Sequence, residues 1–178
     1  MVVASTILGI RSESARMALM ACDGQATMES RVVKTGARKI HRLHGGGVLA
    51  GFTGATGDGM AVLERLEEKL ARDASLREAA LELSKEWRTD RVLRQLEAVV
   101  VAVSPEALLV LTGEGDVVEP DDGLVGIGSG GGYALSAARA LLRHTQLALP
   151  EVAKEALRIA AEIDIYTNSY ITLESLVW

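Results

Sequence analysis

The chain has 178 residues, 48% of them apolar but only 3% aromatic, with a net charge of −5. That length suits one domain able to bury about 70% of its unfolded surface around a largely aliphatic core. A single cysteine, Cys22, excludes an internal disulfide framework and a cysteine-based zinc site. The longest basic cluster, Arg38-Lys39-Ile40-His41-Arg42, is too short to argue for nucleic acid, and no apolar run is long enough to cross a membrane. Without a basic-then-apolar start, the composition predicts a cytoplasmic chain.

In chain order, Ser5 to Ile10 and Arg16 to Ala21 are apolar runs around the polar Arg11-Ser12-Glu13-Ser14, which reads as a β-hairpin. Cys22-Asp23-Gly24-Gln25 closes the second arm in a turn. Arg31 to Lys34 and Lys39 to Leu43 read as a second hairpin around Thr35-Gly36-Ala37, and Val48 to Thr53 as a further strand. Asp58 is placed to cap a helix carrying Met60, Leu63, Leu66 and Leu70 at helical spacing. A second helix starts at the capping residue Ser75 and runs through Leu83 and Trp87, extending toward Leu96. Its charged end, from Trp87 to Arg91, suits a subunit boundary.

Ala98 to Val103 and Ala107 to Thr112 are near-continuous aliphatic runs, as expected of strands covered on both faces. Leu124 to Gly128 reads as another buried strand. Helices then open at Gly130-Gly131-Gly132 and at Pro150, and Tyr170 to Leu173 is the last strand. Strands, two helices, strands, two helices and a strand predict the α+β class, as a four-layer αββα sandwich.

Three patterns can be weighed for chemistry. Gly126-Ile127-Gly128-Ser129-Gly130-Gly131-Gly132 follows a strand and opens a helix, as anion-binding turns do, but it lacks a P-loop lysine. His41, His44 and His144 have no metal-ligand spacing and read as solvated side chains. Ser5, Asp23, Lys39, Gly51 and Ser129 each sit at a strand start or a strand–turn junction in a Gly-rich setting. A hydroxyl nucleophile needs a base, and a free terminal amine on the same residue can act as one. A nearby lysine keeps that amine neutral, an aspartate holds the lysine, and a backbone N–H at a small residue stabilises an oxyanion. On the residues alone a plainer reading stays open. In it Asp23 makes a turn, Lys39 lies on a strand edge, Gly51 eases packing and Ser129 caps a helix.

Eight blocks carry a resemblance that favours the chemical reading. They include Ser-Thr-Ile-Leu-Gly-Ile, Cys-Asp-Gly-Gln-Ala-Thr, Ala-Arg-Lys-Ile-His-Arg-Leu, Val-Leu-Ala-Gly-Phe-Thr-Gly, Lys-Glu-Trp-Arg-Thr-Asp-Arg, Ile-Gly-Ser-Gly-Gly-Gly and Ile-Tyr-Thr-Asn. In order from Ser5 to about Leu173, they resemble the HslV (ClpQ) family, bacterial relatives of proteasome β-subunits that work with the AAA+ unfoldase HslU. The resemblance implies an N-terminal-nucleophile hydrolase fold and a homo-oligomer of two stacked hexameric rings that cleaves unfolded protein. ATP is then used by the partner, not by this chain.

Residue by residue, Ser5 falls on the family's N-terminal threonine, and Asp23 and Lys39 fall on its charged supporting pair. Ser129 matches the assisting serine, and Gly51 the glycine whose N–H faces the oxyanion. Residues 1–4 then form a leader, and residues 5–178 a single catalytic domain. The family's cation loop, built from backbone carbonyls, matches Ala161, Asp164 and Thr167, with Na+ the expected ion and Mg2+ or Ca2+ compatible with oxygen ligands.

Several positions depart from the family pattern. Serine replaces threonine at the nucleophile, Cys22 stands where glycine usually precedes Asp23, and Asp164 stands where cysteine is common. The first hairpin is also about two residues longer. The resemblance leaves a catalytically silent ring subunit that docks an unfoldase, or a small-molecule amidase, as alternatives.

Overall fold

The computed structural model describes residues 6–91 and 93–178. Its first hairpin joins β1 (Thr6–Ser12) to β2 (Met17–Cys22). With β10 (Leu124–Gly128) and β11 (Thr172–Val177) they form a four-stranded antiparallel sheet in the order β10-β1-β2-β11. A five-stranded sheet faces it, ordered β5 (Ile40–Leu43), β6 (Val48–Gly54), β7 (Ala98–Val103), β8 (Leu108–Thr112) and β9 (Val117–Val118).

Four helices cover the outer faces. α1 (Thr56–Leu70) and α2 (Leu76–Thr89) lie on the five-stranded sheet, where Val62, Leu66, Leu83 and the fully buried Trp87 meet Val100 and Ala102. α3 (Gly131–His144) and α4 (Leu149–Ile163) cover the other sheet through Ala134, Ala138, Ala156 and Leu157. Ile7, Met20, Cys22, Leu49, Val101 and Leu108 fill the space between the sheets. Alternate residues of β6 and β7 therefore enter different apolar layers, which explains why these strands read as continuous aliphatic runs. The αββα expectation holds.

Local departures follow from long-range pairing. Arg31–Lys34 and Ile40–Leu43 do not pair with each other. The former, β4, pairs with the short β3 (Ala26–Met28), and the latter pairs with β6 through Ile40 opposite Gly51. The N-cap of α1 is Ala55 rather than Asp58, whose carboxylate instead accepts the Glu97 N–H at 3.0 Å. α2 stops at Thr89, with Asp90 in an extended conformation, and Leu93–Gln95 forms a separate 3₁₀ turn. The last strand is displaced toward the C-terminus because β11 takes its register from β2, Thr172 opposite Cys22. His41 is half-buried, stacked on Phe52 with ring centroids 5.9 Å apart, and burial lowers its pKa.

Cys22 ends β2 in the inter-sheet core, and burial pushes its thiol from 9.0 up to about 11. The native state therefore holds the thiol proton more tightly than the unfolded chain does. Its stabilising contribution is full below pH 9.0 and is lost as pH rises toward about 11. A thiol reagent at pH 8 is expected to leave the folded protein unlabelled and to label it once unfolded. Cys22→Ala is expected to flatten the alkaline loss of stability, measured as urea midpoints across that interval.

Candidate active site

The site lies where β1 begins, and its centre is Asp23, directly after β2. Asp23 is completely buried, so each carboxylate oxygen must be satisfied inside the protein. Oδ1 accepts the Thr6 N–H at 2.9 Å and the Lys39 ammonium at 2.5 Å. Oδ2 accepts the N–H groups of Gln25 at 2.8 Å and Asn168 at 3.4 Å. The Asp23 N–H in turn donates to the Thr6 carbonyl at 3.2 Å. One carboxylate thereby fixes the start of β1, the turn after β2, the loop before β11 and the lysine.

Lys39 precedes β5 and is 8% exposed. A lysine this buried needs a partner of opposite charge, and Asp23 supplies it. Gly51 lies against the same lysine, since a Cβ there would sit 2.9 Å from the Lys39 carbonyl and 2.9 Å from Ile7 Cδ1. Only a residue without a side chain lets β6 approach β1 and Lys39 this closely.

A second group of oxygens stands beside the first. Ser129, between β10 and α3, donates its hydroxyl to Asp164 Oδ2 at 2.6 Å. Thr167 Oγ1 donates to the same Oδ2 at 2.5 Å and lies 2.6 Å from Thr6 Oγ1. The Gly130 N–H donates to Thr6 Oγ1 at 3.0 Å. Ser129 does not cap α3, whose N-cap is Gly130 with no side-chain bond.

Thr6 thus joins the two halves, through its N–H to Asp23 and through its hydroxyl to the Ser129–Asp164 group. The structure brings Asp23, Lys39 and Gly51 together and ties them through Thr6 to Ser129. Ser5, the expected nucleophile, lies outside the described residues, as do residues 1–4 of the expected leader. Thr6, Gln25 and Asn168 were not identified from sequence. The signal for Asn168 is visible in retrospect, because its side chain organises a loop: Oδ1 accepts the N–H groups of Gly24 and Tyr170, and Nδ2 donates to Thr35 O.

Ala161, Asp164 and Thr167 lie in the last turn of α4 and the loop after it. The helix ends there, with the Asp164 N–H on Ala160 O at 2.8 Å, so the Ala161 carbonyl belongs to the turn that lacks helical partners. The Asp164 carbonyl accepts the Thr167 N–H at 3.0 Å and keeps a second lone pair. Backbone oxygens in a short loop fit a hard, oxygen-liganded cation. The Asp164 carboxylate is directed elsewhere, toward Ser129, Thr167 and the Tyr166 N–H. Among the described residues no three His, Cys, Asp or Glu side chains converge as a metal site.

The family model for proteasome subunits matches residues 1–176. An ATP-dependent protease subunit HslV from Anaeromyxobacter is 51% identical over 177 residues, covering 97% of this chain and 97% of the relative. The HslV from Chlorobium luteolum is 48% identical over 173 residues, covering 97% of this chain and 94% of that protein. Among solved structures, the eukaryotic HslV from Trypanosoma brucei superposes with a TM-score of 0.90 at 40% identity, across 97% of this chain and 99% of that one.

Proposed function

The chain belongs to the proteasome subunit family, and we propose that it is the proteolytic subunit of an ATP-dependent protease, cleaving unfolded polypeptide by acyl transfer from an N-terminal serine. The observation that carries this reading is the buried Lys39–Asp23 pair tied by the Thr6 N–H to the residue that follows Ser5. Relatives named as HslV support the protease assignment.

In this reading residues 1–4 are removed, which frees the α-amine of Ser5. Ser5 Oγ attacks the scissile carbonyl carbon while its proton passes to that amine. The Gly51 N–H stabilises the resulting oxyanion. Collapse breaks the C–N bond, and the leaving amine takes the proton from the Ser5 ammonium. Water, deprotonated by the same amine, then releases the acyl group and regenerates Ser5. Lys39 supplies the positive charge that keeps the amine free to accept a proton, and Asp23 holds Lys39 in place. Ser129 assists at the amine.

Carbonyl oxygens of Ala161, Asp164 and Thr167 would hold a cation, Na+ before Mg2+ or Ca2+, that pins the loop beside Ser129. The chain assembles with copies of itself into two stacked hexameric rings and works with an HslU-type unfoldase that uses the ATP. Its place is the cytoplasm; no described helix is long and apolar enough to cross a membrane.

Intact mass of the purified protein and peptide turnover in the presence of the partner ATPase and ATP test the proposal together. The expected result is a mass matching residues 5–178 and ATP-dependent cleavage. A chain that keeps Met1–Ala4 and shows no turnover would overturn it.

A further inference from the structure

Three segments around the charge pair meet at one carboxamide. Asn168 lies in the loop between α4 and β11, and its Oδ1 accepts the Gly24 N–H at 3.0 Å and the Tyr170 N–H at 3.1 Å. Its Nδ2 donates to the Thr35 carbonyl at 2.9 Å, and its own N–H reaches Asp23 Oδ2 at 3.4 Å. Gly24 directly follows Asp23, and Thr35 lies shortly before Lys39. The amide therefore bridges the turn that carries the carboxylate and the segment that carries the lysine.

Those two segments are packed backbone to backbone. The Ala37 N–H donates to the Gly24 carbonyl at 2.8 Å. A Cβ on Gly24 would lie 2.4 Å from the Thr35 carbonyl oxygen and 2.9 Å from the Tyr170 ring, and one on Gly36 would lie 3.4 Å from the same ring. Tyr170 thus lies over both glycines, and Asn168 Oδ1 accepts its N–H. The stretch from Thr35 to Lys39 belongs to no strand, since β4 ends at Lys34 and β5 begins at Ile40. Without a ladder, its backbone takes its place from bonds of this kind. At its end Lys39 meets Asp23 Oδ1 at 2.5 Å.

We infer that Asn168 is a positioning residue of the site, its carboxamide setting the place of the Lys39 ammonium by tying Thr35 to the Asp23–Gly24 turn. The effect on rate rests on the proteolytic reading above; the effect on structure rests on these contacts alone. The bridge needs an acceptor and a donor in one planar group, because it meets N–H groups on one side and a carbonyl on the other. Asparagine has both, whereas aspartate has the same shape and no donor. With the tie cut, the ammonium acts less on the terminal amine, whose pKa then rises. The amine keeps its proton to higher pH, and the acid limb of kcat moves upward.

The test compares wild type with Asn168→Ala and Asn168→Asp, all with masses matching residues 5–178, in peptide turnover with the partner ATPase and in hydrogen exchange. In Asn168→Ala, kcat near neutral pH is expected to fall by about tenfold with KM within about twofold. Its acid limb is expected to move up by about half a pH unit or more. A loss of folded protein would instead lower kcat equally at every pH and leave the limb in place. In Asn168→Asp the bonds from Gly24 and Tyr170 survive and only the one to Thr35 is lost, so kcat is expected to fall as in Asn168→Ala. The limb is read in Asn168→Ala, which adds no charge.

Hydrogen exchange decides the structural half. In Asn168→Ala, faster exchange is expected at residues 24–25 and 35–39, with the helices protected as in wild type. Wild-type exchange across residues 35–39, an unshifted acid limb, or wild-type turnover in Asn168→Asp would overturn the inference. If the wild type itself does not cleave peptide, the proteolytic reading fails and takes the catalytic role of Asn168 with it. Exchange across residues 35–39 then still reports whether the carboxamide holds that segment.

Discussion

Replacing Lys39 by alanine is expected to destroy peptide cleavage and to weaken the fold at the same time. Lys39 is 8% exposed and Asp23 is completely buried. Their 2.5 Å bond is the only side-chain charge pairing found for Asp23 among the described residues. Removing the cation leaves a buried carboxylate held by the N–H groups of Thr6, Gln25 and Asn168. Breaking one side of such a pair costs about 3–5 kcal/mol, to be read as a shift in urea midpoint. The catalytic loss is separate, because without a neighbouring cation the Ser5 amine binds its own proton and ceases to be a base. General-base contributions are worth about a hundredfold to ten-thousandfold, so kcat is expected to fall within that range. Lys39→Arg separates the effects. The charge remains, so most of the stability returns, but the larger planar group cannot reproduce the ammonium's 2.5 Å contact with Asp23 Oδ1 and activity stays low. Full activity in Lys39→Arg would show that charge alone, and not position, is what the site requires.

The layers of this fold were legible in the chain, and the pairing within them was not. Leu63, Leu66 and Leu70, or Leu76, Ala79, Leu83 and Trp87, announce helices because their spacing is a property of one helix alone. Strand partners are chosen by distant residues. Arg31–Lys34 carries four exposed side chains and no alternation, so nothing local says that it joins Ala26–Met28 rather than Ile40–Leu43. Gly51 marks the true partner of β5 only once Ile40 is seen opposite it.

For the site, Asp23, Lys39, Gly51 and Ser129 were reached through resemblance, since their spacings of 16, 12 and 78 residues (39 − 23, 51 − 39, 129 − 51) follow no helix or strand period. Asp164 shows the remaining gap most plainly. A backbone oxygen can be assigned by matching a loop, but the carboxylate's choice of Ser129 and Thr167 depends on how α3 and α4 converge on β1. Thr6 hides for the same reason: a threonine at the head of a strand has many uses, and its bond to Thr167 spans 161 residues.

Ser5→Ala carries the largest expected effect of all. The neighbouring residue is anchored twice, its N–H on Asp23 and its hydroxyl in the Gly130–Thr167 chain, and neither anchor uses the Ser5 side chain. The variant is therefore expected to fold and assemble like the wild type by light scattering and thermal midpoint. Peptide turnover is expected to fall by at least about a thousandfold, because the described hydroxyls of the site, Thr6, Ser129 and Thr167, are engaged in hydrogen bonds and carry no terminal amine to act as their base. Thr6 cannot substitute: it is completely buried and its hydroxyl is held between Thr167 Oγ1 and the Gly130 N–H. Cys22 cannot either, since burial holds its thiol protonated up to about pH 11. Ser5→Thr gives the complementary result. The added methyl restricts rotation about χ1, so turnover is expected to match or exceed that of the wild type. Equal turnover in Ser5→Ala and wild type, measured on chains whose mass begins at residue 5, would remove Ser5 from the mechanism and leave the Asp23–Lys39 pair a purely structural one.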